Sequence, residues 1–182
     1  MRVIAGTARS LRLKAPTGMD TRPTTDRIKE TLFNMLQPHL YDAVFIDLYS
    51  GSGGIGIEAL SRGAKHAYFV DNNKNALACI TDNLRFTGFM ERATILRQDV
   101  MIALQGIREK EADIIFMDPP YDRGYERQVL HTLESASYVT ERTLIVIEAS
   151  LESDFSYLEQ MGFVLINEKC YKTNKHIFCR KA

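Results

Sequence analysis

Between Ala43 and Met117 short apolar runs alternate with stretches of helical spacing, and this alternation constrains the fold more than any other feature of the chain. Val44-Phe45-Ile46, Ala67-Tyr68-Phe69-Val70, Thr94-Ile95-Leu96 and Ile114-Ile115-Phe116-Met117 have the length and content of buried strands. Ile55 to Arg62, Asn75 to Phe86 and Val100 to Leu104 separate them with helical patterns. Strands joined through helices run parallel, so the order β-α-β-α-β-α-β predicts an α/β fold, a parallel sheet with helices on both faces. Arg127 to Leu133 reads as a further helix, Leu144-Ile145-Val146-Ile147 as a fifth strand and the region from Asp154 to Gln160 as a last helix. Phe163 to Ile166 and His176 to Cys179 close the chain as two strands joined through Lys172-Thr173-Asn174-Lys175, and so short a connection makes them antiparallel.

Ahead of this pattern, Arg2-Val3-Ile4-Ala5 and Leu11-Arg12-Leu13-Lys14 alternate as a hairpin around Gly6-Thr7. Pro23 and Thr24 announce a helix whose apolar stripe is Ile28, Leu32, Met35 and Leu36, stopped by Pro38. The expected organisation is an N-terminal hairpin arm, 1–22, followed by one domain, 23–182. At 182 residues and 45% hydrophobic the chain is long and apolar enough for a single sizeable core. No apolar stretch approaches membrane-spanning length and the start has no secretory pattern, so the expected location is the cytoplasm. Cys79, Cys170 and Cys179 form no C-x-x-C pair and are expected to be reduced, buried filler. His39, His66, His131 and His176 are scattered as surface or packing residues, and no metal is expected.

The formal charge is zero, 23 basic against 23 acidic residues, but unevenly placed. Residues 1–29 hold Arg2, Arg9, Arg12, Lys14, Arg22, Arg27 and Lys29 against Asp20 and Asp26, a local excess of 7 − 2 = +5. This makes the arm the candidate contact for a polyanion.

In open α/β sheets ligands bind beyond the carboxyl ends of the strands. The first strand ends in Asp47-Leu48-Tyr49-Ser50-Gly51-Ser52-Gly53-Gly54-Ile55-Gly56, the second in Asp71-Asn72-Asn73, the third in Gln98-Asp99 and the fourth in Asp118-Pro119-Pro120-Tyr121. Gly51, Gly53 and Gly56 match G-x-G-x-x-G, and Asp71 stands where an acid would meet a ribose. Taken alone, the glycines would suit a dinucleotide or mere close helix packing. Asp47 before the loop and Asp99 at the same edge would repel a pyrophosphate, whereas S-adenosylmethionine carries an ammonium and a sulfonium and no phosphate. Asp118 and the Pro119 carbonyl offer two acceptors to an exocyclic amine, and Tyr121 offers a flat face to its base. Such an amine is a poor nucleophile because its lone pair is delocalised, and two acceptors that draw its hydrogens out of the ring plane favour a pyramidal nitrogen.

FIDLYSGSGGIGIEALSRGA, FVDNN, RQDV and FMDPPY resemble, in order and spacing, the S-adenosylmethionine-dependent amino-methyltransferases with an Asn/Asp-Pro-Pro-Tyr/Phe motif. VIAGTARSLRL followed by TRPTTDRIKETLFNML is similar to the start of the RsmD family, bacterial small-subunit rRNA guanine-N2 methyltransferases. The resemblance implies a Rossmann-like class I methyltransferase fold, with seven strands in the order 3-2-1-4-5-7-6 and strand seven antiparallel. It implies cofactor contacts at Asp47, Gly51, Gly53, Asp71, Asn72, Asp99 and Val100, and target-base contacts at Asp118, Pro119 and Tyr121. The RNA is expected at Arg9, Arg12, Arg22 and Tyr121, the partner being small-subunit rRNA, free or in an assembling ribosomal particle. The chain departs from the family in its arm, which reads Arg9-Ser10-Leu11 where Arg-Gly-Arg is common, and at Asn72-Asn73, where a second acid is frequent. DPPY also serves N6-adenine methylation of DNA or RNA, which stays open as the alternative. A nucleotide-binding oxidoreductase would leave DPPY unused, and a non-catalytic RNA-binding module would not need Asp118 and Tyr121 intact.

Overall fold

The computed structural model describes residues 1–16, 25–120 and 123–182. Its strands are β1 (Val44–Leu48), β2 (His66–Asp71), β3 (Ala93–Arg97), β4 (Ile114–Met117), β5 (Leu144–Ala149), β6 (Phe163–Cys170) and β7 (Lys175–Lys181). They form one sheet in the order β3-β2-β1-β4-β5-β7-β6. The first five strands pair in parallel, and β7 is antiparallel to both β5 and β6. The helices are α1 (Asp26–Leu36), α2 (Gly54–Ser61), α3 (Lys74–Thr87), α4 (Val100–Gly106) and α5 (Tyr125–Ser135).

The central strands are apolar throughout because both faces are covered. Phe45, Phe69, Phe116 and Val146 pack on one face against Leu32, Phe33 and Leu36 of α1, Ile57 and Leu60 of α2, and Ile80 and Leu84 of α3. On the opposite face Ile46, Val70, Ile115 and Ile147 meet Ala103 and Leu104 of α4 and Val129, Leu130 and Leu133 of α5. Local chemistry sets the helix ends. The Thr25 hydroxyl accepts from Ile28 N at the start of α1, the Asn73 side chain accepts from Asn75 N and Ala76 N at the start of α3, and Gly88 ends α3 at φ 75°. The edge strand β6 has Val164, Leu165 and Ile166 roughly half exposed, and a register shift between Leu165 and Asn167 breaks its ladder with β7.

Several sequence expectations change here. Asp154 to Gln160 is not an α-helix: the Asp154 carboxylate accepts from Ser156 N and Ser156 Oγ, a local turn that competes with helix, and only Glu159–Met161 form a 3-10 turn. The hairpin is reduced to a bridge between Arg2 and Arg12, closed by Val3 N to Leu11 O and Ser10 N to Val3 O. Its turn is wider than Gly6-Thr7 because Gly6 is pressed onto α2: a Cβ at Gly6 would lie 1.9 Å from the Ser61 carbonyl oxygen. Cys79 and Cys179 are buried, but Cys170 is exposed on β6.

The arm also uses much of its charge internally. Glu58 of α2, fully buried, accepts from Ile4 N (2.8 Å), Ala5 N (3.0 Å) and Arg62 Nε (2.8 Å), with Lys29 Nζ at 3.4 Å. Lys29 is itself fully buried and donates to the Arg2 carbonyl at 2.5 Å; burial lowers its pKa, against the pull of Glu58. Arg2 pairs with Asp26 at 2.8 Å and Lys14 with Asp82 at 2.7 Å. The +5 excess therefore overstates what the arm presents to solvent: Lys29 is removed from it, and Arg2 and Lys14 are matched. Arg9 and Arg12 are exposed with no ion pair among the described residues, while Arg22 lies outside them.

Candidate active site

The carboxyl ends of β1, β2, β3 and β4 converge on one edge of the sheet, so the acids that end them are neighbours in space. Asp47, at the end of β1, is buried and accepts from Gly56 N at 2.9 Å. Burial pushes its carboxyl up to about 7, against the stabilising Gly56 bond, with Asp71 adding to the rise. Asp47 thus ties the strand to the first turn of α2.

The glycine loop divides its tasks. Gly53 caps α2 at φ 76°, where an added Cβ would meet Phe69 and Ile80 at 3.3 Å. Gly56 lies against Phe69, whose ring carbon would be 2.4 Å from an added Cβ, so it allows α2 to close on β2. Gly51, at φ 55°, is different: an added Cβ would enter open space. The loop backbone is therefore open at that point. Asp71 stands over it, with one oxygen accepting from Gly51 N (2.9 Å) and the other from Asn73 N (2.8 Å), which leaves a lone pair on each for a diol. Asn72 is exposed beside it, Asp99 caps α4 by accepting from Met101 N at 2.8 Å, and Val100 is buried under that turn. Gly51, Asp71 and Asp99 offer backbone room and acceptors, which fits a cationic adenosyl compound.

Asp118 follows β4 next door. β1 and β4 pair with Asp47 opposite Phe116, so Asp118, two residues on, shares Asp47's face. It makes no hydrogen bond to any described residue, and burial, then Glu148 and then Asp47, raise its carboxyl to about 8. Pro119 is buried and lies beyond the end of β4, outside the strand ladders. Tyr121 lies outside the described residues.

Sequence reasoning missed two groups here. Tyr49 holds φ 61°, rare for a bulky residue, and its ring lies 6.3 Å from that of Tyr125 beside Asp99. Glu148 ends β5 beside Asp118 and is bonded to Asn174 and His176. Glu148 was legible: it closes an apolar run just as Asp47 and Asp118 do.

An edge with a glycine cradle, acids for a cationic adenosyl ligand and an Asp-Pro-Pro turn on the adjacent strand defines an S-adenosylmethionine-dependent methyltransferase with a Rossmann-like fold. The chain belongs to the family described as conserved hypothetical protein 95, which matches residues 1–180. The Bacillus subtilis protein YlbH is 37% identical over 171 residues, covering 93% of this chain and 92% of that one. Ribosomal RNA small subunit methyltransferase D of Escherichia coli is 34% identical over 155 residues, covering 84% of this chain and 76% of its own. Among solved structures, the Escherichia coli yhhF protein superposes with a TM-score of 0.83 at 30% identity, covering 100% of this chain and 97% of that one. A precorrin-6y C5,15-methyltransferase from Geobacter metallireducens shares the fold at a TM-score of 0.73 and 16% identity, covering 90% of this chain and 93% of that one.

Proposed function

We propose that the chain transfers a methyl group to the exocyclic N2 amine of a guanine in small-subunit rRNA, with free RNA or an assembling particle as the substrate. The observation that carries this reading is Asp118, unbonded among the described residues and aligned on one face with Asp47 beside the Gly51 cradle. Relatives named for small-subunit rRNA methylation supply the substrate class.

When bound, the cofactor supplies a methyl group on a sulfonium, which leaves as a neutral thioether. Gly51 would leave room for it, Asp71 would accept from its ribose hydroxyls, Asp99 and Val100 would hold it at the end of β3, and Asp47 would favour its positive end. Asp118 and the Pro119 carbonyl accept the two N–H bonds of the target amine and hold its lone pair toward the methyl carbon. As the N–C bond forms, the amine becomes cationic. One of its protons then passes to the ionised Asp118 carboxylate, the form that grows as pH rises through about 8. Tyr121, two residues after Pro119, is proposed to stack on the unpaired base, and Arg9, Arg12 and Arg22 to hold phosphates of the flanking strand.

Mapping of modified nucleosides in rRNA from cells with and without the gene tests this directly. Loss of one N2-methylguanine in small-subunit rRNA is the expected result. Loss of an N6-methyladenine, or no change, overturns the base assignment.

A further inference from the structure

The end of β5 carries a built polar row that the reaction as described does not use. Met117 pairs with Ile147, so Asp118, one residue further, lies in line with Glu148 on the same face of the sheet, and Glu148 pairs in turn with His176 of β7. Glu148 is buried: Asn174 Nδ2 donates to Oε1 at 2.5 Å, and His176 Nε2 lies 3.2 Å from Oε2, where its Nε2–H tautomer donates. The Tyr171 hydroxyl lies 3.2 Å from the other ring nitrogen of His176, and the Phe116 ring meets the imidazole edge-on at 6.2 Å. A carboxylate gripped in this way presents acceptors only, with a second lone pair on each oxygen still open. Next to it the Asn174 side-chain oxygen is buried with no hydrogen-bond partner among the described residues, an acceptor left waiting for a donor.

Two carboxyl groups and an orphan carbonyl at one sheet edge ask for a ligand edge that is rich in donors. Guanine and adenine differ in this respect beside their amines: guanine has N1–H next to its N2 amine, whereas adenine has a bare N1 lone pair next to its N6 amine. We propose that Glu148, set by Asn174 and His176, is the base-selecting residue of this site, accepting the N1–H of an unstacked guanine whose amine is held by Asp118 and Pro119. An adenine in the same pose would turn its N1 lone pair onto the Glu148 oxygens, and that repulsion excludes it. The inference rests on the guanine-N2 reading and deepens it.

The test uses the full chain, S-adenosylmethionine and a synthetic rRNA fragment carrying guanine or 2-aminopurine at the position that nucleoside mapping identifies. 2-Aminopurine keeps the amine but lacks N1–H. Wild type should prefer guanine by roughly ten- to a hundredfold in kcat/KM, the scale of one well-made contact to a base edge. Glu148→Gln places an amide where it can donate to the bare N1, so the preference should shrink at least tenfold while binding of the demethylated cofactor and the thermal midpoint stay near wild type. Equal use of the two bases by wild type overturns the inference, as does an unchanged preference in folded Glu148→Gln. Should that variant not fold, the wild-type comparison decides alone. Mapping that placed the methyl group on adenine would remove the guanine reading itself; guanine methylated without discrimination removes only the role of Glu148.

Discussion

Asp118 is the residue on which the proposed chemistry turns, and its environment makes that role measurable. Asp118→Ala should bind cofactor normally yet lose turnover by about 10²-fold or more, the cost of a preorganised transition-state contact. Because burial and the neighbouring Glu148 and Asp47 raise this carboxyl to about 8, the acceptor form grows as pH rises through that value. The kcat/KM of wild type should therefore climb between about pH 7 and 9, and Asp118→Asn should lack that climb; a flat wild-type profile would contradict an ionised acceptor. At the neighbouring strand end, Asp71→Ala removes the proposed diol acceptor together with the bonds from Gly51 N and Asn73 N. Calorimetry should show cofactor binding weakened by about 1.5–3 kcal/mol, the range for hydrogen bonds to a charged group.

At the scale of elements, the contact between α2 and β2 and the seat of the arm set the geometry around these residues. Gly56→Ala drives a methyl group to 2.4 Å from the fully buried Phe69 ring, so α2 must lift or the ring must shift. Overpacking of this kind costs about 1–3 kcal/mol, and Phe69→Leu in the same chain should recover part of it in denaturant titrations. The arm is fastened by Glu58, while Arg9 and Arg12 face outward. Replacing both arginines with alanine should weaken RNA binding and lower its salt slope by about 2, one per phosphate contact, with cofactor affinity unchanged. An unchanged slope would reduce the arm to a scaffold for α1 and α2.

Across the whole molecule, the acids that prepare the site also weaken the fold. Asp47 is raised to about 7 and Asp118 to about 8, so between the ordinary carboxylate range and pH 8 the folded chain binds more protons than the unfolded one. The stability due to this pair is complete below about pH 4 and is lost as pH rises through 7 to 8. Asp118→Asn should thus gain on wild type in thermal midpoint as pH increases from 5 to 9. A cationic ligand favours the charged acids, so cofactor binding should tighten over the same interval and restore stability.

Period and punctuation in the sequence determined the layered sheet, because an apolar run buried on both faces and a helix with one apolar stripe leave only a covered parallel arrangement. The strand-end acids Asp47, Asp71, Asp99 and Asp118 were legible for the same reason, since parallel strands bring their carboxyl ends together. Charge was not legible in this way: Lys29 and Arg12 look alike in a count, yet one lies at the helix position that meets buried Glu58 and the other at a solvent-facing one. Nor was the Asp118–Glu148–His176 row, whose members lie far apart in the chain and meet only through pairing across β4, β5 and β7. Local sequence decides what a segment prefers to be. Which buried polar groups face one another is decided by strand register, and register exists only once the sheet has assembled.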